Sequence, residues 1–365
     1  MRADNDQSSS VLDRSSAIVE DVRPPSQSID VLSDVLRAVR LRGALFFLTD
    51  ATSPWSVAIP AGSSLLPAVL TGAQTLISFH MVTKGRCWCD APGMEPFCLE
   101  TGDVVVMPRG DPYRLSHPAA QPCEWSHDAL LAFFREMAAG RLPFVVKEGG
   151  NGSEEVHILC GFLGCDMVPY NPALDTLPAV LHVPRLPGTD DSRLAKLVEL
   201  SMEESSHRRA GSDCVLLRLA ELMFVEVVRR HVASLATEER GWLAGLRDPT
   251  VGRALSLLHA QPQRSWTLVE LAREAGLSRS ALAERFAHFV GTPPMQYLVR
   301  WRMQTAARLL FDGDAKVAAV AAAVGYESEA SFSRAFTRVV GVSPAAWRRR
   351  RASQVSTGSS AIWLK

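Results

Sequence analysis

The feature that most constrains this sequence is an internal repeat near its C-terminus. Residues 267–297 and 316–347 share a skeleton of alanine, glycine, phenylalanine, glycine, proline and an aromatic residue. The first two pairs are offset by 49 residues and the other four by 50. The pairs are Ala272 with Ala321, Gly276 with Gly325, Phe286 with Phe336, Gly291 with Gly341, Pro294 with Pro344, and Tyr297 with Trp347. Such a register indicates one supersecondary unit used twice.

Each copy has the residue pattern of a helix-turn-helix. A small alanine suits a close helix crossing, and the glycine four residues later permits the positive φ of a sharp turn. Ser278 and Ser328 are suited to N-cap the second helix. The apolar residues that this helix should bury are Leu282 and Phe286 in the first copy and Phe332 and Phe336 in the second. Its opposite face is then free for a DNA major groove. A long helix over residues 295–311 is predicted to join the two units.

The charge distribution agrees with a polyanion partner for this part of the chain. Residues 246–351 contain 16 Lys and Arg against 8 Asp and Glu, whereas the whole chain has a net charge of zero. The remainder is therefore acidic. A basic module joined to an acidic remainder favours nucleic-acid binding, although a solvated basic face would give the same count.

The repeat block resembles the C-terminal DNA-binding domain of the AraC/XylS transcription regulators over about 100 residues. The resemblance rests on a connector and a closing stretch. These comprise Trp301, Arg302, Met303, Ala306, Leu309 and Leu310, and then Gly325, Tyr326, Phe332, Arg334, Phe336, Gly341 and Pro344. It implies a sequence-specific DNA-binding regulator whose DNA-binding domain spans residues 246–351.

The resemblance also implies which side chains contact DNA. The second unit should present Glu329, Ala330, Ser331, Arg334 and Arg338, and the first should present Arg279, Ser280, Ala283 and Glu284. Arg334 stands where the family has a base- or phosphate-contacting arginine, whereas many relatives have an arginine in place of Glu284. That carboxylate could accept from cytosine or pair with Arg279 or Arg285. Phosphate clamps are expected from Arg300, Arg302 and residues 348–351, the last of which could equally be a solvated tail. The two recognition helices should enter successive major-groove faces about 34 Å apart.

The N-terminal half is rich in strand signals. Short apolar runs at residues 44–48, 56–59, 76–82, 104–107 and 144–146 alternate with Gly and Pro, which favours a β-barrel or sandwich. Residues 28–183 resemble the cupin domain of one branch of AraC-type regulators. Gly102, Pro108 and Gly110 follow the second cupin motif, in which Tyr113 replaces the metal-binding histidine. The predicted fold class is α+β and multidomain: a cupin-like barrel, a helical hairpin, and an all-α domain with two helix-turn-helix units.

The barrel is predicted to be a ligand pocket or a dimer platform rather than a metal centre. His80 stands where the first cupin motif has a histidine, but Val82 breaks the His-x-His pair. A catalytic cupin metal needs about three convergent ligands, so no enzyme activity is expected. A cupin metalloenzyme fused to a DNA-binding module is the alternative. The pocket residues expected are His80, Trp88, Met107, Arg109 and Tyr113.

Four of the seven cysteines leave three alternatives open. Cys87 and Cys89 share one face of a predicted strand, and Cys160 and Cys165 lie on another segment. Buried inert thiols are the ordinary interpretation. A redox switch and a tetrahedral zinc site are the other two. Apart from that zinc, no cofactor is expected.

The remaining segments complete the organisation. Residues 1–27 are predicted to be a disordered tail, residues 184–245 a helical linker and dimerisation hairpin, and residues 352–365 a flexible tail. The hairpin helices are expected at residues 192–206 and 213–231; a purely intramolecular spacer is the alternative. The expected partners are double-stranded DNA, a second copy of the chain, an unidentified small-molecule effector and, as a candidate, RNA polymerase. A polar N-terminus without a signal-peptide pattern predicts a cytoplasmic protein. RNA binding is disfavoured because the recognition helices lack aromatic platforms.

Overall fold

A computed structural model describes residues 30–39, 41–71, 73–150, 152–166, 170–185, 192–236 and 239–349. The predicted tails at residues 1–27 and 352–365 lie outside these ranges. Within them, no helix combines the length and apolarity that crossing a membrane requires.

The N-terminal part contains two β-sheets that share an apolar interior. One sheet has the order β10-β6-β3-β9-β1-β8 and the other β2-β7-β4-β5. The elements in chain order are α1 (Val31–Arg37), β1 (Leu41–Thr52), β2 (Trp55–Ile59), α2 (Gly62–Val69), β3 (Thr75–Lys84), β4 (Arg86–Asp90), β5 (Phe97–Glu100), β6 (Val104–Met107), β7 (Tyr113–His117), α3 (His127–Ala138), β8 (Val145–Gly149), β9 (Glu155–Cys165), α4 (Pro172–Thr176) and β10 (Leu181–Val183). This is the β-rich architecture that the sequence predicted for the N-terminal part.

The central strand β9 sorts its side chains between two apolar cores. It pairs antiparallel with β1 on one side and with β3 on the other. Because successive side chains point to opposite faces of a sheet, Cys160 and Phe162 face the interior of the barrel. Leu163 and Cys165 belong to the core on the opposite face of the sheet. That outer face is covered by helices rather than by solvent.

The C-terminal part is helical, as predicted. Its helices are α5 (Ser192–Ser206), α6 (Ser212–Ser234), α7 (Trp242–Arg247), α8 (Pro249–Ala260), α9 (Leu268–Ala275), α10 (Arg279–Val290), α11 (Pro294–Asp312), α12 (Val317–Ala323) and α13 (Glu329–Val340). The predicted hairpin corresponds to α5 and α6, and the predicted connector to α11. The five predicted strands correspond to β1, β2, β3, β6 and β8.

The described residues form three apolar cores, whose limits do not follow the predicted domain boundaries. One core fills the barrel. A second runs from the outer face of the large sheet through α5 and α6 into the first helix-turn-helix. The third holds the second helix-turn-helix alone. The first helix-turn-helix unit therefore shares a core with the N-terminal part, whereas the second has a core of its own.

Candidate nucleic-acid interface and sensor cavity

The turns of both helix-turn-helix units have the predicted geometry. Gly276 and Gly325 adopt left-handed φ values of 80° and 81°. The Ser278 hydroxyl accepts from Ala281 N and the Ser328 hydroxyl from Ser331 N, each at 3.2 Å. Both serines therefore cap the second helix of their unit as expected. The helices' apolar faces are buried at Leu282, Phe286, Phe332 and Phe336, each with no exposed surface.

The face of each second helix opposite this core is polar and open. On α13, Glu329, Ala330, Arg334 and Arg338 are exposed and Ser331 is half-buried. On α10, Arg279, Ser280 and Glu284 are exposed and Ala283 is half-buried. A polar helix face backed by a rigid core is the surface that a major groove accepts.

Arg285 on α10 is held by the protein and anchors the first recognition helix. Its Nε lies 2.9 Å and its Nη2 2.5 Å from Asp248 Oδ2. Asp248 also caps α8 by accepting from Thr250 N and Val251 N. Burial alone would raise the pKa of Asp248, but these hydrogen bonds together lower it to about 2. Since Arg285 is engaged with Asp248, Glu284 is left without that partner.

The two units meet at the loop between α8 and α9. Arg302 on α11 donates to Pro262 O at 2.6 Å and to Arg264 O at 2.8 Å. A Cβ added to Gly325 of the second unit would lie 2.3 Å from Gln263 O. The half-buried Arg302 therefore contacts the loop of the first unit, and its guanidinium also lies 5.9 Å from the centre of the Tyr326 ring of the second unit.

Two other predicted phosphate clamps, Arg300 and Arg348, also have protein partners. The Arg300 guanidinium lies 5.6 Å from the centre of the Tyr170 ring. Arg348 donates to Ala315 O at 2.5 Å. Residues 350 and 351 lie outside the described part of the chain.

Inside the barrel, the two residues at the cupin metal positions contact each other. His80 Nε2 and the Tyr113 hydroxyl share a hydrogen bond. Burial lowers the pKa of His80 to about 3, so its ring is neutral at neutral pH. Among the described residues, no group of three or more His, Cys, Asp or Glu side chains could hold a metal ion. The donor set therefore does not fit a cupin metal.

A narrow cavity lies beside this pair, between the two sheets and α3. Its wall is mostly aromatic and aliphatic, with few polar groups. It comprises Phe47, Thr49, Trp55, Val57, Ile59, His80, Leu115, Trp125, Leu130, Phe133, Phe134, Val146, Glu148, Ile158 and Cys160. Of the five predicted pocket residues, only His80 lines this cavity. Tyr113 bonds to His80 but does not line the cavity itself.

The other three predicted pocket residues lie elsewhere. Trp88 is half-buried between the buried residues Cys87 and Cys89, and thus points to the outer face of β4. Met107 is buried in the barrel core. Arg109 is exposed and donates to Leu177 O at 2.6 Å. Strand alternation directs Trp88 away from the cavity and a backbone acceptor holds Arg109, whereas Met107 faces the barrel interior without lining the cavity.

The four cysteines do not converge on one point, as a four-sulfur zinc site requires. Cys87, Cys89 and Cys160 belong to the barrel core, whereas Cys165 belongs to the core outside the sheet. The spacing of five between Cys160 and Cys165 places them on opposite faces of β9. Burial raises the pKa of Cys89 and of Cys160 to about 12 and also raises the pKa of Cys87 well above its usual value.

The sensor domain contacts the first DNA-binding unit directly. His259 Nδ1 on α8 lies 3.6 Å from Asp34 Oδ2 on α1. Burial lowers the pKa of His259 although Asp34 opposes this effect, so the Tyr297 hydroxyl can donate to the neutral Nε2 at 2.8 Å. Tyr170 N donates to Gln304 Oε1 at 3.3 Å. These contacts join α1 and the segment before α4 to α8 and α11.

Sequence reasoning missed most of these residues. The cavity is closed by α3, whose Leu130, Phe133 and Phe134 are spaced for one helix face, a signal that was available. Glu148 and Asp34 gave no signal, because a lone carboxylate in a polar stretch looks like any surface residue.

Comparison with known proteins bears on both halves of the chain. Residues 30–233 match a family described as cupin, and residues 271–350 match one described as helix-turn-helix domain. An AraC-like transcription regulator from Streptomyces lividans is 35% identical over 88% of this chain and 98% of its own length. One from Streptomyces antibioticus is 35% identical over 88% and 99%. Among solved structures, the DNA-binding domain of AdpA in complex with a target DNA is similar to this chain. The two sequences are 30% identical, the match covers 29% of this chain and 96% of the AdpA chain, and the TM-score is 0.28.

Fold, interface and relatives together define a transcription regulator that binds DNA through helix-turn-helix units. Within that class, the chain belongs to the AraC-like transcription regulators and has the N-terminal cupin domain of that group.

Proposed function

We propose that this regulator reads DNA with the exposed faces of α10 and α13, and that its barrel binds a small-molecule effector. The observation that carries the DNA contacts is the pairing, in both units, of an open polar helix face with a fully buried opposite face. Because the partner of this regulator is DNA, we propose that the protein acts in the cytoplasm. RNA polymerase remains a candidate partner.

Selection of bound sequences from a random DNA pool, at a stated salt concentration, tests the DNA contacts. We expect a site with two elements about one helical turn apart. Arg334→Ala should lower affinity for the selected site by about tenfold or more, since one bidentate arginine contact discriminates by about 1–3 kcal/mol. Arg141→Ala, an exposed arginine of the sensor domain, is the matched control. An Arg334→Ala protein that binds like this control would contradict the proposal.

We further propose that the α5–α6 hairpin forms a homodimer contact. Leu200 on α5 and Val215 and Leu222 on α6 are large apolar residues with 49%, 44% and 53% of their surface exposed. Val215 and Leu222 are seven residues apart and therefore share one helix face. Leu222→Glu should convert the dimer to a monomer in sedimentation velocity. Val269→Glu, at an apolar residue of α9 that is 60% exposed, should leave the dimer intact.

Effector binding in the barrel is supported by the cavity and by the contact between the neutral His80 and Tyr113. The same contact disfavours the metalloenzyme alternative, because the two side chains best placed for a metal occupy each other. We propose that the effector acts on DNA binding through the interface of α1 and α4 with α8 and α11, in addition to the hairpin.

A further inference from the structure

We propose that Glu284 reads a cytosine in the DNA element bound by α10, whereas Arg334 reads a guanine at the equivalent position of the element bound by α13. This inference rests on the proposed function of the two helix faces in DNA binding, and it names the bases that they select. It follows from the register of the internal repeat, the direction of the two side chains and their lack of protein partners.

The repeat places these two side chains at the same position of their units. The offset of 50 residues that relates the core phenylalanines of α10 and α13 also relates Glu284 to Arg334. The same offset relates Arg279 to Glu329 at the start of each helix. The two faces therefore carry the same pair of charges in opposite order. Two units that share a fold thus differ in the base that each can accept at this position.

Both side chains are directed away from the core of their unit. Glu284 lies two residues from each of the α10 core residues Leu282 and Phe286, which have no exposed surface. Arg334 stands in the same relation to the buried phenylalanines of α13. Two residues along an α-helix correspond to a rotation of about 200°, so each charged group points outward. Both residues are exposed.

The positions beside each charged residue carry small side chains. On α10 these are Ser280, Ala281 and Ala283, and on α13 they are Ala330, Ser331 and Ser333. Such side chains reach little beyond the helix backbone, so a major groove that receives the helix meets the charged group first. The base that faces this position is therefore selected mainly by Glu284 in one unit and by Arg334 in the other.

The protein leaves both charged groups free to bind. Within the described residues 239–349, Glu284 and Arg334 make no ion pair and no side-chain hydrogen bond. Arg285, the neighbour of Glu284, is held by Asp248, with 2.9 Å between Nε and Oδ2. The hydrogen-bonding atoms of the carboxylate and of the guanidinium are therefore available to DNA.

The base edges determine what each group selects. A carboxylate only accepts hydrogen bonds, and cytosine presents the N4 amino donor in the major groove without an acceptor of its own. Adenine presents a donor beside the N7 acceptor, and guanine and thymine present acceptors and no donor, so these bases repel a carboxylate. The guanidinium of Arg334 instead matches O6 and N7 of guanine. Because the phosphates also repel a carboxylate, Glu284 disfavours every site that lacks the cytosine donor.

Selection of bound sequences from a random DNA pool by the full chain and its variants tests this inference. The wild-type protein should select a C·G pair at one position of one element, and inverting that pair to G·C should weaken binding about tenfold. Glu284→Gln should change the selected pair to A·T, because an amide matches adenine, and Glu284→Arg should invert it to G·C. Glu274→Gln, which removes the same charge from α9 of the same unit, is the matched control and should leave the selected pair unchanged.

The outcomes distinguish a failure of this inference from a failure of the proposed function. A base preference that all Glu284 variants leave unchanged would overturn the cytosine contact. So would a Glu284→Ala protein that binds every sequence more tightly by the same factor, because the carboxylate would then be a solvated charge. In both cases the proposed function stands if Arg334→Ala lowers affinity for the selected site. If the wild-type protein enriches no sequence, both proposals are overturned.

Discussion

Single residues in the barrel interior follow the cost of burying charge. His80 and Tyr113 lie where a cupin would hold a metal, yet they satisfy each other in an apolar core that keeps the imidazole neutral. The three interior thiols are likewise held in their neutral form by burial. The pH dependence of stability and the reactivity of these thiols therefore measure how well the barrel interior is shielded from water.

The buried His80 makes stability depend on pH. Its pKa is about 3 in the folded chain and about 6.5 when exposed to water. As pH falls below 6.5, the unfolded chain gains a proton that the folded chain does not, so stability decreases. Between pH 7 and pH 5 we expect a loss of about 2 kcal/mol in the free energy of unfolding from this histidine. Urea denaturation at each pH should show a shallower dependence for His80→Gln but not for His207→Gln, an exposed histidine. An unchanged slope for His80→Gln would contradict the neutral buried imidazole.

The thiols should react according to burial and pKa, which tests the redox alternative. Cys214 on α6 is exposed, whereas Cys87, Cys89 and Cys160 are buried with raised pKa values. Because the thiolate is the reactive form, iodoacetamide should alkylate Cys214 of the native chain at least about tenfold faster than these three. Mass spectrometry of the digested protein measures each rate. Modification of Cys87 or Cys89 as fast as Cys214 would instead favour a redox switch.

At the scale of elements, the two repeats share a turn but differ in its surroundings. Gly276 and Gly325 both adopt a positive φ. A Cβ at Gly276 would meet nothing within 4 Å, whereas a Cβ at Gly325 would overlap the backbone of Gln263. The second turn therefore also serves as the contact between the units.

The matched substitutions Gly276→Ala and Gly325→Ala separate these two roles. Both should lose about 1–2 kcal/mol because an L-residue is strained at this φ. Gly325→Ala should lose roughly a further 1–3 kcal/mol because the loop must move. Thermal unfolding followed by far-ultraviolet circular dichroism gives the comparison. Equal losses would mean that the loop at Gln263 does not constrain the second unit.

The elements also differ in how well the sequence alone predicts them. The helix-turn-helix units were predictable because each position is specified locally, by a cap at Ser278, a turn at Gly276 and a core residue at Phe286. The barrel was only partly predictable. Strand β9 is buried on both faces, so it lacks the alternation that identifies a strand. The cavity wall depends on α3 and β8 meeting across the fold, which no local pattern encodes.

At the scale of the whole molecule, α11 belongs to two cores. Its first half contributes Tyr297, Leu298 and Trp301 to the core shared with the sensor domain. Its second half contributes Met303, Ala306 and Leu310 to the core of the second unit. The first unit is thus packed on the sensor domain, whereas the second is joined to the first by α11 and by the contact of Gly325 with Gln263. A change in the sensor domain would therefore reach the first unit by direct contact, and the second through α11 and the loop between α8 and α9.

The repeat provides a matched pair of variants for this division, because Phe286 and Phe336 are equivalent and both are fully buried. Either change to alanine should cost about 3–5 kcal/mol within its own core. In amide hydrogen exchange of the full chain, Phe336→Ala should accelerate exchange in α12 and α13 and leave α1 and α6 unchanged. Phe286→Ala should accelerate exchange in α9 and α10 and also in α1 and α6, since these elements share one core and open together. If Phe336→Ala instead loosened α1 as much as Phe286→Ala does, the two units would form one cooperative body. The second unit could then not respond to the sensor domain through α11 alone.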